Sequence, residues 1–162
     1  MLAVADTGPL HYLILIGHAD LFGQLLDRVL IPDAVHGELC NPGAPASVRD
    51  WIASPPPWLS ADPVPSAALD AVEASLDDGE RAAIALAVQV RPGLVLMDDR
   101  AGVAVAQAKG FVVTGTLGLL VRGARRGLLD LPAALDALGQ TNFHWTAALR
   151  HRILAEHGRS TA

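Results

Sequence analysis

The sequence predicts an α/β fold of three layers, an α/β/α sandwich with a central parallel sheet. Three observations predict it. Short apolar runs alternate with longer runs of helical spacing along the chain. The best of the short runs, Leu94 to Met97 (LVLM), is apolar at every position, as a strand buried on both faces must be. Two of the runs end directly in an acid, where a strand hands over to a helix.

The elements follow in order. Leu2 to Ala5 (LAVA) reads as a strand closed by Asp6. Thr7-Gly8-Pro9 reads as a helix start, since Thr can cap and Pro suits a first turn; Leu10, Leu13 and Ile14 give its apolar stripe. A second helix follows His18, through Leu21, Phe22, Leu25 and Leu26. Val29 to Ile31 is a strand, and Pro32-Asp33 opens a helix with Val35 and Leu39 inward. Residues 42–65 hold seven of the 11 prolines and read as a loop-rich excursion with one short helix near Val48 to Ala53. Ser66 to Leu76 and Asp78 to Val90 read as helices, and Ala101 to Lys109 as another that Gly110 stops. Phe111 to Val113 is a strand and Thr116 begins a helix. Asp130 to Leu138 and Trp145 to Ala155 supply C-terminal helices within 130–157. The expectation is one domain over residues 1–162.

Composition removes several classes of function. Hydrophobic residues make up 51% and charged residues 18%, which excludes a disordered chain. No apolar run reaches the roughly 18 residues of a membrane span, and MLAVADTGPL lacks the basic start of a signal peptide, so a cytoplasmic protein is expected. The single cysteine, Cys40, supports neither an internal disulfide nor a Cys-rich zinc site, and is expected to be buried and inert. Trp51, Trp58 and Trp145 read as core anchors. The net charge of −5 speaks against a generic nucleic-acid binder, yet residues 122–162 carry six arginines against three acids. Phosphate-loop, dinucleotide and serine-hydrolase motifs are absent, and the six histidines form no H-E-x-x-H pair.

Carboxylates are what remain. Ligands of open parallel sheets bind beyond the carboxyl ends of the strands, where Asp6 and Asp98 would stand if their strands are neighbours. Asp6 competes with a capping role. Asp98 and Asp99 must point to opposite sides of an extended chain, so one can cap while the other enters the crevice; Asp98 is preferred for the crevice. Glu80 begins the stripe Ile84, Ala87 and Val88, though Asp77 three residues earlier gives capping-box spacing. Glu38 lies three residues after Val35, beside that helix's buried stripe. Four converging carboxylates would raise one another's pKa values, and a hard cation such as Mg2+ or Mn2+ relieves that repulsion.

Four segments, in order, carry a family resemblance: VADTGPLHYLILIGHADLF from Val4, IPDAVHGEL from Ile31, LDDGERAAIALA from Leu76, and LVLMDDRAGVAVAQAKGFVVTGTLGLLVRGARRGLL from Leu94. The sequence resembles PIN-domain proteins of the DUF3368 group, which are VapC-like. The resemblance implies a PIN-like fold and a metal-dependent endoribonuclease site, with Asp6, Glu38, Glu80 and Asp98 catalytic. The same four, with Asp99, would hold Mg2+ or Mn2+. It also implies an RNA substrate and a toxin-like role silenced by a small antitoxin protein, and it allows a homodimer. Thr114, Thr116, Arg122 and Arg125 are the candidates for holding RNA phosphates. Gly8 stands where relatives carry Ser, and Gly102-Val103 where they carry a small residue and then Arg. These departures favour the alternative of a catalytically inactive regulatory or RNA-binding PIN-like protein.

Overall fold

A computed structural model describes residues 1–161. The described elements are β1 (Leu2–Ala5), α1 (Thr7–Leu15), α2 (Leu21–Leu25), β2 (Arg28–Pro32), α3 (Asp33–Cys40), α4 (Ala46–Ala53), β3 (Leu59–Asp62), α5 (Ser66–Asp70), α6 (Asp78–Val90), β4 (Leu94–Leu96), α7 (Arg100–Ala108), β5 (Val113–Thr114), α8 (Thr116–Arg125), α9 (Leu131–Gly139) and α10 (Ala147–Thr161).

The strands form one parallel sheet in the order β3-β2-β1-β4-β5. Chain order runs outward in both directions from the β1/β4 pair, so these two strands flank the point where the winding reverses. That is where such sheets open a crevice. Registers Ala5 with Leu96, and Leu96 with Thr114, bring the carboxyl ends of β1, β4 and β5 level.

Alternation along each strand divides the core in two. Ala3, Ala5, Val29, Ile31, Leu94 and Leu96 face a larger cluster that takes in Leu10 and Leu13 of α1, Leu119 of α8 and Leu135 of α9. Val4, Leu30, Val95 and Met97 face a second cluster built with α6 and α7. The three-layer α/β/α arrangement is thus the direct consequence of strands that are apolar on both faces.

Several local expectations change. The proline-rich stretch holds a strand as well as a helix: β3 pairs with β2 at the sheet edge, where prolines nearby cost no ladder bonds. Only Ser66–Asp70 of the expected Ser66–Leu76 helix forms; Val72 and Leu76 still bury in the second cluster, through turns. The strand expected at Phe111 to Val113 begins two residues later. Val88 is 40% exposed and leaves the α6 stripe. Cys40 is exposed, because Val35 and Leu39 take the inward face of α3 and the last residue falls off it. The three tryptophans are half-buried against the larger cluster. Gly110 does end α7, with φ +89° that suits a residue lacking Cβ. Among the described residues no helix is long and apolar enough to cross a membrane.

Candidate active site

Asp6 follows β1 directly, and its N–H donates to Leu96 O at 2.9 Å, which pins it against β4. It occupies the N-cap position of α1, but its side chain makes no capping bond. The carboxyl is 8% exposed. Its pKa is pushed up to about 7, first by burial; the Thr7 N–H opposes this, and the charges of Asp77, Glu38 and Asp98 add to it.

Asp98 stands just past β4 and accepts from the Thr116 N–H at 2.7 Å and from the Thr116 hydroxyl at 2.6 Å. Burial raises its pKa, and the two Thr116 donors pull it back. Asp99 is exposed and caps α7, with Oδ1 accepting from Ala101 N–H at 2.9 Å and Gly102 N–H at 3.3 Å. The neighbouring acids therefore divide the two jobs that an extended backbone allows them.

Glu80 lies in the first turn of α6. Asp77 caps that helix by accepting the Glu80 N–H at 2.8 Å. The cap uses the Glu80 backbone, while its side chain, 7% exposed, is pushed up to about 7 by burial, then by Asp77, Asp99 and Asp6. Glu38 is exposed on α3 and accepts from the Thr7 hydroxyl, which ties α3 to the start of α1. Asp6 is thus the carboxylate that Glu38, Asp98 and Asp77 all press upon, and Glu80 is linked to it electrostatically.

Glycines bring backbone close to these acids. A Cβ on Gly8 would sit 3.0 Å from Asp98 Oδ2, and one on Gly79 would sit 2.6 Å from Glu38 Oε1. A Cβ on Gly115 would collide with Asp98 Oδ1 and stand 3.2 Å from Met97 O. The Gly102 departure has a packing reason: a Cβ there would meet Met97 Sδ at 2.5 Å. Val103 packs on the second cluster.

The fit to a divalent cation is one of chemistry and space. The donors are all carboxylate oxygens, two are buried, and their pKa values are raised partly by one another, which a hard cation would reverse. Among the described residues no three His, Cys, Asp or Glu side chains already form a ligand group.

The phosphate-binding candidates fare differently. Thr116 is fully buried and spends its hydroxyl on Asp98, so it supports a carboxylate and is not a phosphate contact; the N-cap of α8 is Gly115. Thr114 is half-buried, with its methyl group 2.9 Å from where a Gly118 Cβ would fall. Arg122 and Arg125 are misplaced for this site. α8 starts at the carboxyl edge and runs away from it, so Arg125 lies about 14 Å further along the axis. With Arg126 they line a pocket against Met1, Leu25 and Leu26, at the opposite edge of the sheet. Thr7 and Asp77 were missed as members of the site, because a cap or helix-start signal is all that the sequence gives for either.

Thr116→Val is expected to lower stability by about 1–2 kcal/mol and to raise the Asp98 pKa further, with Thr116→Ser restoring both. Denaturant unfolding and carboxyl NMR titration would read this. Unchanged stability in the valine variant would show that the hydroxyl does not hold Asp98.

A family model described as DUF3368, a PIN domain, matches residues 2–159. No curated protein matches, and no solved structure does.

Proposed function

The chain belongs to the DUF3368 family of PIN domains, a nuclease fold, and from that premise we propose that it is a metal-dependent endoribonuclease. The observation that carries the proposal is the crowding at the β1/β4 reversal point. Burial there pushes the Asp6 pKa up to about 7, and the charges of Asp77, Glu38 and Asp98 add to the rise. Strongly raised carboxyl pKa values of this kind are characteristic of functional sites.

Asp6, Glu38, Glu80 and Asp98 are the residues that would hold Mg2+ or Mn2+. Such an ion would neutralise the carboxylates, acidify a water and offset charge on the attacked phosphodiester. The chain's own residues do the rest. Thr116 fixes both oxygens of Asp98 with two donors, and Thr7 fixes Glu38 through its hydroxyl. Glu80, like Asp6 raised to about 7, would release its proton when a cation binds below that pH. Asp99 serves as the α7 cap and adds negative potential beside Glu80.

We also propose a toxin-like role with a small antitoxin partner, which the resemblance of the four sequence segments to VapC-like proteins supports. A second reading is an inactive regulatory or RNA-binding protein, and Gly8, which stands where a hydroxyl would be expected beside Asp98, is the observation in its favour.

Incubation with single-stranded RNA and Mn2+ separates the two. The expected result is cleavage that EDTA abolishes, together with an Mn2+-induced rise in melting temperature. Neither cleavage nor a thermal shift would leave the inactive reading standing.

A further inference from the structure

A cavity of about 750 Å³ opens beside α1, walled by His11 and Leu15, by Pro45 at the start of α4, and by Ala137, Gln140 and Asn142 from α9 and the loop after it. Its volume lies in the range of small-molecule sites. None of the acids lines it; its α1 wall runs from His11 to Ile16, about 6 to 13 Å along the helix axis beyond Thr7. His11 is one helical turn, about 6 Å along the axis, beyond Thr7, whose hydroxyl binds Glu38. Tyr12 is one turn beyond Gly8, which abuts Asp98. The Tyr12 phenol, which holds the lining residue Asn142, is pushed up by burial and then by the Asp98 charge.

The lining is a mixture suited to a heterocycle. Leu15, Pro45 and Ala137 offer apolar surface. Gln140 contributes an amide, and Asn142 contributes another. The Tyr12 hydroxyl donates to Asn142 Oδ1 at 3.0 Å, which fixes that loop on α1 and leaves the Asn142 amide N–H groups to donate. Burial lowers the His11 pKa, so near pH 7 the ring is neutral and offers one donor and one acceptor. The His11 ring stands edge-to-face with Tyr12 at 4.9 Å, and Tyr12 with Phe143 at 5.0 Å, so the polar groups are braced by an aromatic row. Phosphate recognition is a poor match, because the cavity has no Lys or Arg in its lining.

We propose that this cavity receives one unpaired base of a single-stranded RNA whose backbone runs along α1 from the acids, and that His11, Gln140 and Asn142 read its edge. The inference rests on the nuclease reading for the direction of the strand, but base binding can be measured without catalysis. Amide and imidazole groups distinguish bases by donor and acceptor pattern, and a good pair of such bonds discriminates by about tenfold or more. Selection of one base at a fixed distance from the cut is the consequence.

The test uses fluorescent hexaribonucleotides of A, C, G or U, with binding measured by anisotropy in EDTA so that nothing is cleaved. Hydrolysis of bis(p-nitrophenyl) phosphate with Mn2+ is measured alongside, because this substrate has no base to place. The wild-type protein is expected to bind one hexamer about tenfold more tightly than the weakest. His11→Ala and the cavity-filling Ala137→Phe should bring the four within about twofold, while hydrolysis of the small ester continues. Equal binding of all four hexamers by the wild type, or a preference surviving in both variants, would overturn the proposal. Ester hydrolysis absent from the wild type, with hexamer preference present, would remove the nuclease reading and leave the base site in place.

Discussion

Asp6→Asn is expected to lower Mn2+-dependent RNA cleavage by about a thousandfold and, in EDTA near about pH 8, to raise the melting temperature. The two effects have one cause. The Asp6 carboxyl, buried and surrounded by Glu38, Asp98 and Asp77, has its pKa moved from 3.8 to about 7. Keeping it charged at alkaline pH therefore burdens the folded state by an amount on the order of a few kcal/mol. An amide carries no charge, fills the same space and can donate to the neighbouring carboxylates. For a chain of this size each kcal/mol moves the midpoint by about 2–4 °C, so a rise of about 5 °C is expected. Thermal unfolding by circular dichroism and a gel-based cleavage assay read the two halves. Activity near the wild-type level would remove Asp6 from the chemistry, and a lower melting temperature would show that its charge is no burden.

How much of this was legible in the sequence depends on the range of the interaction that decides each residue. The sheet and the acids at its edge follow from local pattern, because strand alternation and the position of Asp6 or Asp98 after an apolar run are properties of a few adjacent residues. β3 was not legible: LSAD has one buried position, Leu59, and an edge strand among prolines resembles a loop. The division of labour between Asp98 and Asp99 was half-legible. Geometry requires opposite directions, but only the partnership of Asp98 with Thr116, 18 residues away, says which acid turns inward. The same long-range bond took Thr116 out of the substrate-binding candidates. Arg122 and Arg125 stand apart from the acids for a simpler reason. Charge was read without the direction of α8, and the helix carries its basic end to the other edge of the sheet, where the arginines suit the negative end of its dipole. Cys40 failed because a residue type's average burial says nothing about the last residue of one helix.

The pH dependence of stability carries the largest thermodynamic signature. Asp6 and Glu80 both have folded-state pKa values near 7, raised from 3.8 and 4.5, and Asp98 is raised as well. Between about pH 4 and pH 7 the native protein therefore binds more protons than the unfolded chain, and stability falls as pH rises. The contribution of these groups is fully present below about pH 4, is lost through about pH 7, and is constant beyond. His11 acts in the opposite sense: its lowered pKa withdraws stability as pH falls below 6.5. The contribution of Asp6 and Glu80 is isolated by subtracting the profile of Asp6→Asn with Glu80→Gln, which keeps His11 and Asp98. Divalent cations enter through the same protons. A cation needs the carboxylates ionised, so Mn2+ should raise the melting temperature little near about pH 5 and strongly near about pH 8, with proton release on binding near neutrality. Calorimetric titration in two buffers of different ionisation enthalpy measures the protons released per ion. A cation-induced shift that is the same at both pH values, or that persists in the double variant, would place the binding elsewhere on the surface and separate the raised pKa values of Asp6 and Glu80 from any metal.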